Sequence, residues 1–124
     1  MTGNEYQKYA TRTNDGNSTN RLTVASISSD VQDFGGILNG CLGLSGEVGE
    51  FNDMVKKWIF HQKEIDVEHA KKELGDVMWY IALICQSAGW ELDEILEINV
   101  NKLKARYPDG FDIQKSNNRA DGDV

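Results

Sequence analysis

Two acidic turns carry most of the chemical information in this chain. Glu47-Val-Gly-Glu50 and Glu73-Leu-Gly-Asp76 each place two carboxylates three residues apart in a stretch that otherwise reads as helix. Residues at i and i+3 share a helix face, so each pair converges. Like charges held together repel unless a cation sits between them. Two such pairs on two helices supply enough oxygen ligands for Mg²⁺. At about 100° per residue, Glu47 falls near Leu44, Phe51 and Trp58, and Glu73 near Val77, Ile81 and Ile84. Those neighbours belong to a core-facing stripe, where an ionised carboxylate without a partner is costly to desolvate. One such acidic turn is ordinary on a surface helix; two, each intruding on an apolar stripe, point to a cation site.

The opposite charge sits further along. Asn99, Lys102 and Arg106 share a narrow arc of a later helix, with Asn99 and Arg106 inside the Leu92–Leu103 stripe and Tyr107 just beyond. Arg and Lys facing a partly dry site suit phosphate. The same residues also suit a plain helix end, where long cationic side chains lie over apolar surface and favour the helix dipole. His61 and His69 read as surface residues, since neither forms the Glu-x-x-His pair of a di-iron bundle. Lys56 and Lys57 read as part of a solvated turn. Trp58, Trp79 and Trp90 read as core or subunit interface, with one of them able to stack on a base. No Walker loop, dinucleotide-binding glycine fingerprint or Ser-His-Asp arrangement is visible.

These groups must be positioned by helices. A short helix is expected over Asn4–Arg12, with Asn4 as its cap. Residues 13–30, rich in Asn, Ser, Thr, Asp and Gly, read as a loop, either a mobile lid or disordered. Asp30 or a neighbouring Ser opens the next helix, with Phe34, Ile37, Leu38, Cys41, Leu42, Val48, Phe51, Val55, Trp58 and Ile59 at helical spacing. Gly40, Gly43, Gly46 and Gly49 recur along it. Such a row fits a close approach by another helix or a ligand, or a kinked or broken first half. Asp66 caps a helix to about Ala88 whose core stripe is Ala70, Leu74, Val77, Met78, Ile81, Ile84, Cys85 and Ala88, and Gly89 ends it. The last helix starts at Asp93 or a neighbour and runs to Arg106. Leu92, Ile95, Leu96 and Leu103 mark its buried face, and Pro108 stops it.

A chain of 124 residues fits one domain. We read it as residues 1–112 followed by a flexible, polar tail at 113–124. The net charge of −7 argues against nucleic acid as a partner, though not against a nucleotide bridged by metal. Cys41 and Cys85 read as buried free thiols of a reducing compartment, which places the protein in the cytoplasm. No apolar run reaches a membrane span, and Met1–Glu5 lacks the features of a signal peptide.

Three blocks in order give the chain a family likeness. Gly43-Leu-Ser-Gly-Glu-Val-Gly-Glu-Phe51, Glu73-Leu-Gly-Asp-Val-Met-Trp-Tyr-Ile81, and Asn99-Val-Asn-Lys-Leu-Lys-Ala-Arg-Tyr-Pro108 followed by Asp-Gly-Phe111 resemble the acidic helices and the C-terminal substrate helix of the MazG-like all-α nucleoside triphosphate pyrophosphohydrolases. The likeness is best over 35–112. It implies an all-α helical bundle completed by oligomerisation, as a homodimer or homotetramer. It implies that Glu47, Glu50, Glu73 and Asp76 bind Mg²⁺, that a water held there attacks a substrate phosphorus, and that the products are a nucleoside monophosphate and pyrophosphate. It also turns Asn99, Lys102, Arg106 and Tyr107 toward substrate binding. Glu47, which intrudes furthest toward the apolar side, is the nominated base. The reading from another class is a non-catalytic acidic helical module that binds a partner protein or a cation without turnover. Base and sugar preference are not legible in the residues.

Overall fold

The computed structural model describes residues 1–28 and 33–124. Among the described residues, six α-helices run in the order α1 (Gly3–Ala10), α2 (Ser18–Ile27), α3 (Phe34–Phe60), α4 (Val67–Ala88), α5 (Leu92–Arg106) and α6 (Ile113–Asn117), with a 3-10 turn at Thr11–Thr13 after α1. Among the described residues there is no strand, so the fold is all-α.

The centre of the molecule is the antiparallel pair of α3 and α4. Asp33 opens α3 by accepting the Gly36 N–H at 2.9 Å. The anticipated opening at Asp30 falls outside the described residues. The glycine row neither kinks nor breaks the helix, which runs unbroken for 27 residues. Two of its glycines are there for close approach. A β-carbon on Gly40 would lie 2.5 Å from Ile84 Cγ1, and one on Gly43 would lie 2.1 Å from the Tyr80 ring. These contacts set the register: Gly36 against Ser87, Gly40 against Ile84, Gly43 against Tyr80. Carried one turn further, that register brings Glu47 level with the Glu73–Asp76 turn. The connection after α3 is short. Asp66 then caps α4 by accepting the His69 N–H at 3.0 Å. Gly89 closes α4 in the left-handed conformation, φ 74°, where other residues are strained.

Several expectations are corrected. Thr2, not Asn4, caps α1. Its hydroxyl accepts the Glu5 N–H at 3.2 Å while Glu5 accepts the Thr2 N–H at 2.6 Å, a reciprocal capping box. The polar stretch 13–30 is not simply loop, because it contains α2. Thr23 and Ser26 donate their hydroxyls to the carbonyls of Thr19 and Thr23 at 3.0 and 2.7 Å, so the polar side chains bond to the helix instead of competing with it. Asp15 pairs with Arg21 across its start. The start of α5 falls at Leu92, next to Asp93 as expected, with Glu91 in the capping position. The tail carries α6, capped by Asp112, and returns Asp123 to Arg106.

The largest correction concerns burial. Among the described residues, Ala70 and Cys85 are the buried apolar side chains. The expected core positions Leu38, Leu42, Val48, Trp58, Leu74 and Met78 are exposed in the single chain, as are Ile95, Leu96 and Leu103 on the supposed buried face of α5. Cys41 is likewise an exposed free thiol, whereas Cys85 is buried. The reason is topological. α3 packs along α4 and α2 touches α3 more lightly, but among the described residues α5 has no comparable packing against another helix. A two-helix hairpin can cover only one stripe of each helix, and the remaining apolar stripes stay open.

Candidate functional site

The register of α3 on α4 brings the acidic turns together. Glu47, Glu73 and Asp76 each offer a carboxylate oxygen, and these oxygens lie within 4.8 Å of one another. Glu73 is only 9% exposed. Glu47 Oε2 and Glu73 Oε2 are buried and have no hydrogen-bond partner in the protein. Polar atoms buried this way are rare because their desolvation goes uncompensated. The donors are all hard carboxylate oxygens, the type that Mg²⁺ takes, so the residues present fit a divalent cation.

Electrostatics tie the two acids to each other. Burial, together with the close approach of the Glu73 carboxylate and the charges of Glu50 and Asp76, pushes the Glu47 carboxyl up from the usual carboxylate range. Glu73 moves the other way, held down first by its hydrogen bond from His69. Glu50 is not one of the three converging carboxylates, although its charge acts on Glu47. It borders a cavity of about 260 Å³ with Asp53, Lys57, Lys63, His69 and Glu73. Lys57 reaches Asp53 at 2.7 Å. On the other flank, Glu47 and Asp76 line a cavity of about 320 Å³ with Trp79 and Tyr80, whose rings pack edge to face at 5.0 Å.

His69 is exposed, as the sequence suggested, but it also reaches the acidic cluster. Its Nε2 lies 2.8 Å from Glu73 Oε1. The available signal was the spacing of four to Glu73, which places the two side chains on one helix face.

The residues of α5 lie elsewhere. Lys102 and Arg106 line a cleft of about 790 Å³ formed with the C-terminal tail, alongside Lys115, Arg119 and Asp123. Asp123 holds Arg106 through both arms of the guanidinium, at 2.8 Å to Nε and 2.5 Å at the terminal nitrogen. Tyr107 is half-buried, against Phe111 on one side and beneath the Arg106 guanidinium on the other. Asn99 is exposed. The cavities lined by the carboxylates contain none of these four residues. The single chain thus gathers the acids in one place and the cations in another. No helix is long and apolar enough to cross a membrane among the described residues.

Comparison with known proteins agrees with this architecture. The family model described as the MazG nucleotide pyrophosphohydrolase domain matches residues 38–111, which span both acidic turns and α5. The chain is also similar to the Gene 37 protein of Mycobacterium phage L5, at 30% identity over 96 residues that cover 74% of this chain and 84% of that protein. No solved structure matches it. With acidic turns facing each other across an antiparallel helix pair and a family match over more than half its length, the chain belongs to the MazG nucleotide pyrophosphohydrolase domain family.

Proposed function

We propose that this protein hydrolyses a nucleoside or deoxynucleoside triphosphate to the monophosphate and pyrophosphate with Mg²⁺. The observation that carries the reading is the meeting of Glu47, Glu73 and Asp76 around two buried, unpartnered carboxylate oxygens. Those three residues, with Glu50 beside them, would hold the ion, which neutralises phosphate charge and makes water more acidic. Glu47, which intrudes furthest toward the apolar side, takes the proton from the attacking water. Trp79 and Tyr80 give the adjoining cavity an aromatic wall suited to a base. Lys102 and Arg106, with Asn99 and Tyr107, bind the polyphosphate. Arg106 offers a planar fork of donors, and substrate phosphate competes with Asp123 for it.

Acids and cations meet, in this reading, within a homodimer or homotetramer. The exposed apolar positions on α3, α4 and α5, Leu42, Trp58, Leu74, Met78 and Leu96 among them, support that assembly. Two free thiols accord with a reducing cytoplasm. A second reading, a cation-binding or docking module without turnover, draws on the separation of the α5 cations from the acidic cavities in the single chain.

The test is a panel of ribo- and deoxyribonucleoside triphosphates incubated with the protein, with and without Mg²⁺, and resolved by ion-exchange chromatography. Equal amounts of monophosphate and pyrophosphate, abolished by a chelator, are expected. Diphosphate and single phosphate would refute the reaction type, and no turnover of any nucleotide would favour the second reading.

A further inference from the structure

We propose that His69 is a positioning residue for the acidic site, holding one oxygen of Glu73 so that the other is presented to the cation. This rests on the metal-binding reading above. An ionised carboxylate only accepts hydrogen bonds, so the 2.8 Å contact requires His69 Nε2 to carry its hydrogen and donate to Glu73 Oε1. That places a hydrogen on Nε2, the nitrogen that faces Glu73. Glu73 then has one satisfied oxygen, and its other oxygen, Oε2, is the buried one without a partner. A carboxylate with both oxygens free can rotate between them. One oxygen bonded to a ring on the same helix, four residues back, fixes which atom is offered.

The geometry favours such a role over an incidental surface contact. The His69 side chain is 55% exposed, whereas that of Glu73 is 11% exposed. The bond therefore joins an exposed ring to a buried carboxylate, and both residues line the 260 Å³ cavity beside Glu50. His69 is also anchored through its backbone. Its own backbone N–H is bonded to the Asp66 cap in the first turn of α4, where the helix is held at its start. Replacing the side chain leaves that N–H in place, so the cap survives the substitution.

The experiment measures Mn²⁺ and Mg²⁺ binding by calorimetry, and steady-state turnover against metal concentration, for the wild-type protein and the His69→Ala, His69→Gln and Glu73→Gln variants. Glutamine places an N–H donor at a similar reach and lacks the ring. His69→Ala is expected to weaken metal affinity about 10- to 100-fold, the range seen when an outer partner of a metal ligand is lost. Its turnover at saturating metal is expected to fall far less, and its melting temperature without metal to stay near wild type. His69→Gln should recover most of the affinity. Unchanged affinity in His69→Ala while Glu73→Gln loses binding would overturn the role of His69 alone. Unchanged affinity in Glu73→Gln would overturn the metal site itself. Equal loss in His69→Ala and His69→Gln would also overturn the proposal, because a donor at that reach would then not be what matters.

Discussion

The close approach of α3 and α4 at Gly43 can be tested by adding one methyl group. In Gly43→Ala the new β-carbon would lie 2.1 Å from Tyr80 Cε1 and 2.3 Å from its Cζ, against about 3.5–4.0 Å for ordinary carbon contact. The Tyr80 ring must therefore withdraw by roughly 1.5 Å, or the helices must part. Two effects compete. Alanine in place of a mid-helix glycine stabilises by about 1 kcal/mol, and overpacking costs about 1–3 kcal/mol. The net expectation is a loss of up to about 2 kcal/mol, which for a domain of this size lowers the melting temperature by roughly 3–6 °C per kcal/mol. Gly46→Ala, one turn along with nothing within 4 Å of its β-carbon, provides the helix-propensity control and should melt higher than wild type. Because Tyr80 lines the cavity beside Glu47 and Asp76, Gly43→Ala should also lower turnover more than its stability loss accounts for. Thermal melts followed by circular dichroism, together with the double variant Gly43→Ala/Tyr80→Ala, complete the test. In the double variant the extra cost of the methyl should vanish. A Gly43→Ala protein as stable as Gly46→Ala would refute the described helix approach.

Other expectations are more direct. Glu50→Gln or Asp76→Asn should abolish turnover in the pyrophosphate assay while leaving the metal-free melting temperature unchanged or raised, because removing one charge from a repelling cluster leaves packing intact. Arg106→Ala should reduce turnover by about tenfold or more, with a smaller effect of Lys102→Ala, since lysine binds phosphate as a point charge; calorimetry with Mg²⁺ alone should show metal binding intact in both. The Arg106 guanidinium holds the Asp123 carboxyl below the usual carboxylate range, so the pair's contribution is complete above the ordinary aspartate value and is lost as pH falls through the lowered one. Acid melts of wild type and Asp123→Asn should therefore converge in strong acid and diverge toward neutrality, wild type being the more stable. Sedimentation at micromolar concentration should show a dimer or tetramer, and a monomer would contradict the proposed assembly.

Local features of this protein were legible in its residues because they depend on local hydrogen bonding. Periodicity marked α3, α4 and α5, Asp66 and Gly89 announced the two ends of α4, and Pro108 marked the exit from α5. The paired acids were visible for the same reason, since i and i+3 share a face wherever a helix forms. Composition misled at 13–30, where hydroxyl side chains turn back onto helix carbonyls and let α2 form in a polar stretch. Tertiary structure decided what crosses between elements. The glycine row was compatible with a break or a close approach until Gly40 and Gly43 met Ile84 and Tyr80. The same register selected Glu47, Glu73 and Asp76 as the converging carboxylates and left Glu50 at the edge of a cavity. The pairing of Arg106 with Asp123 spans 17 residues and leaves no periodic trace. Apolar spacing shows which helix face is capable of burial; whether that face is covered depends on what packs against it, and among the described residues most of α5 lacks such a helix.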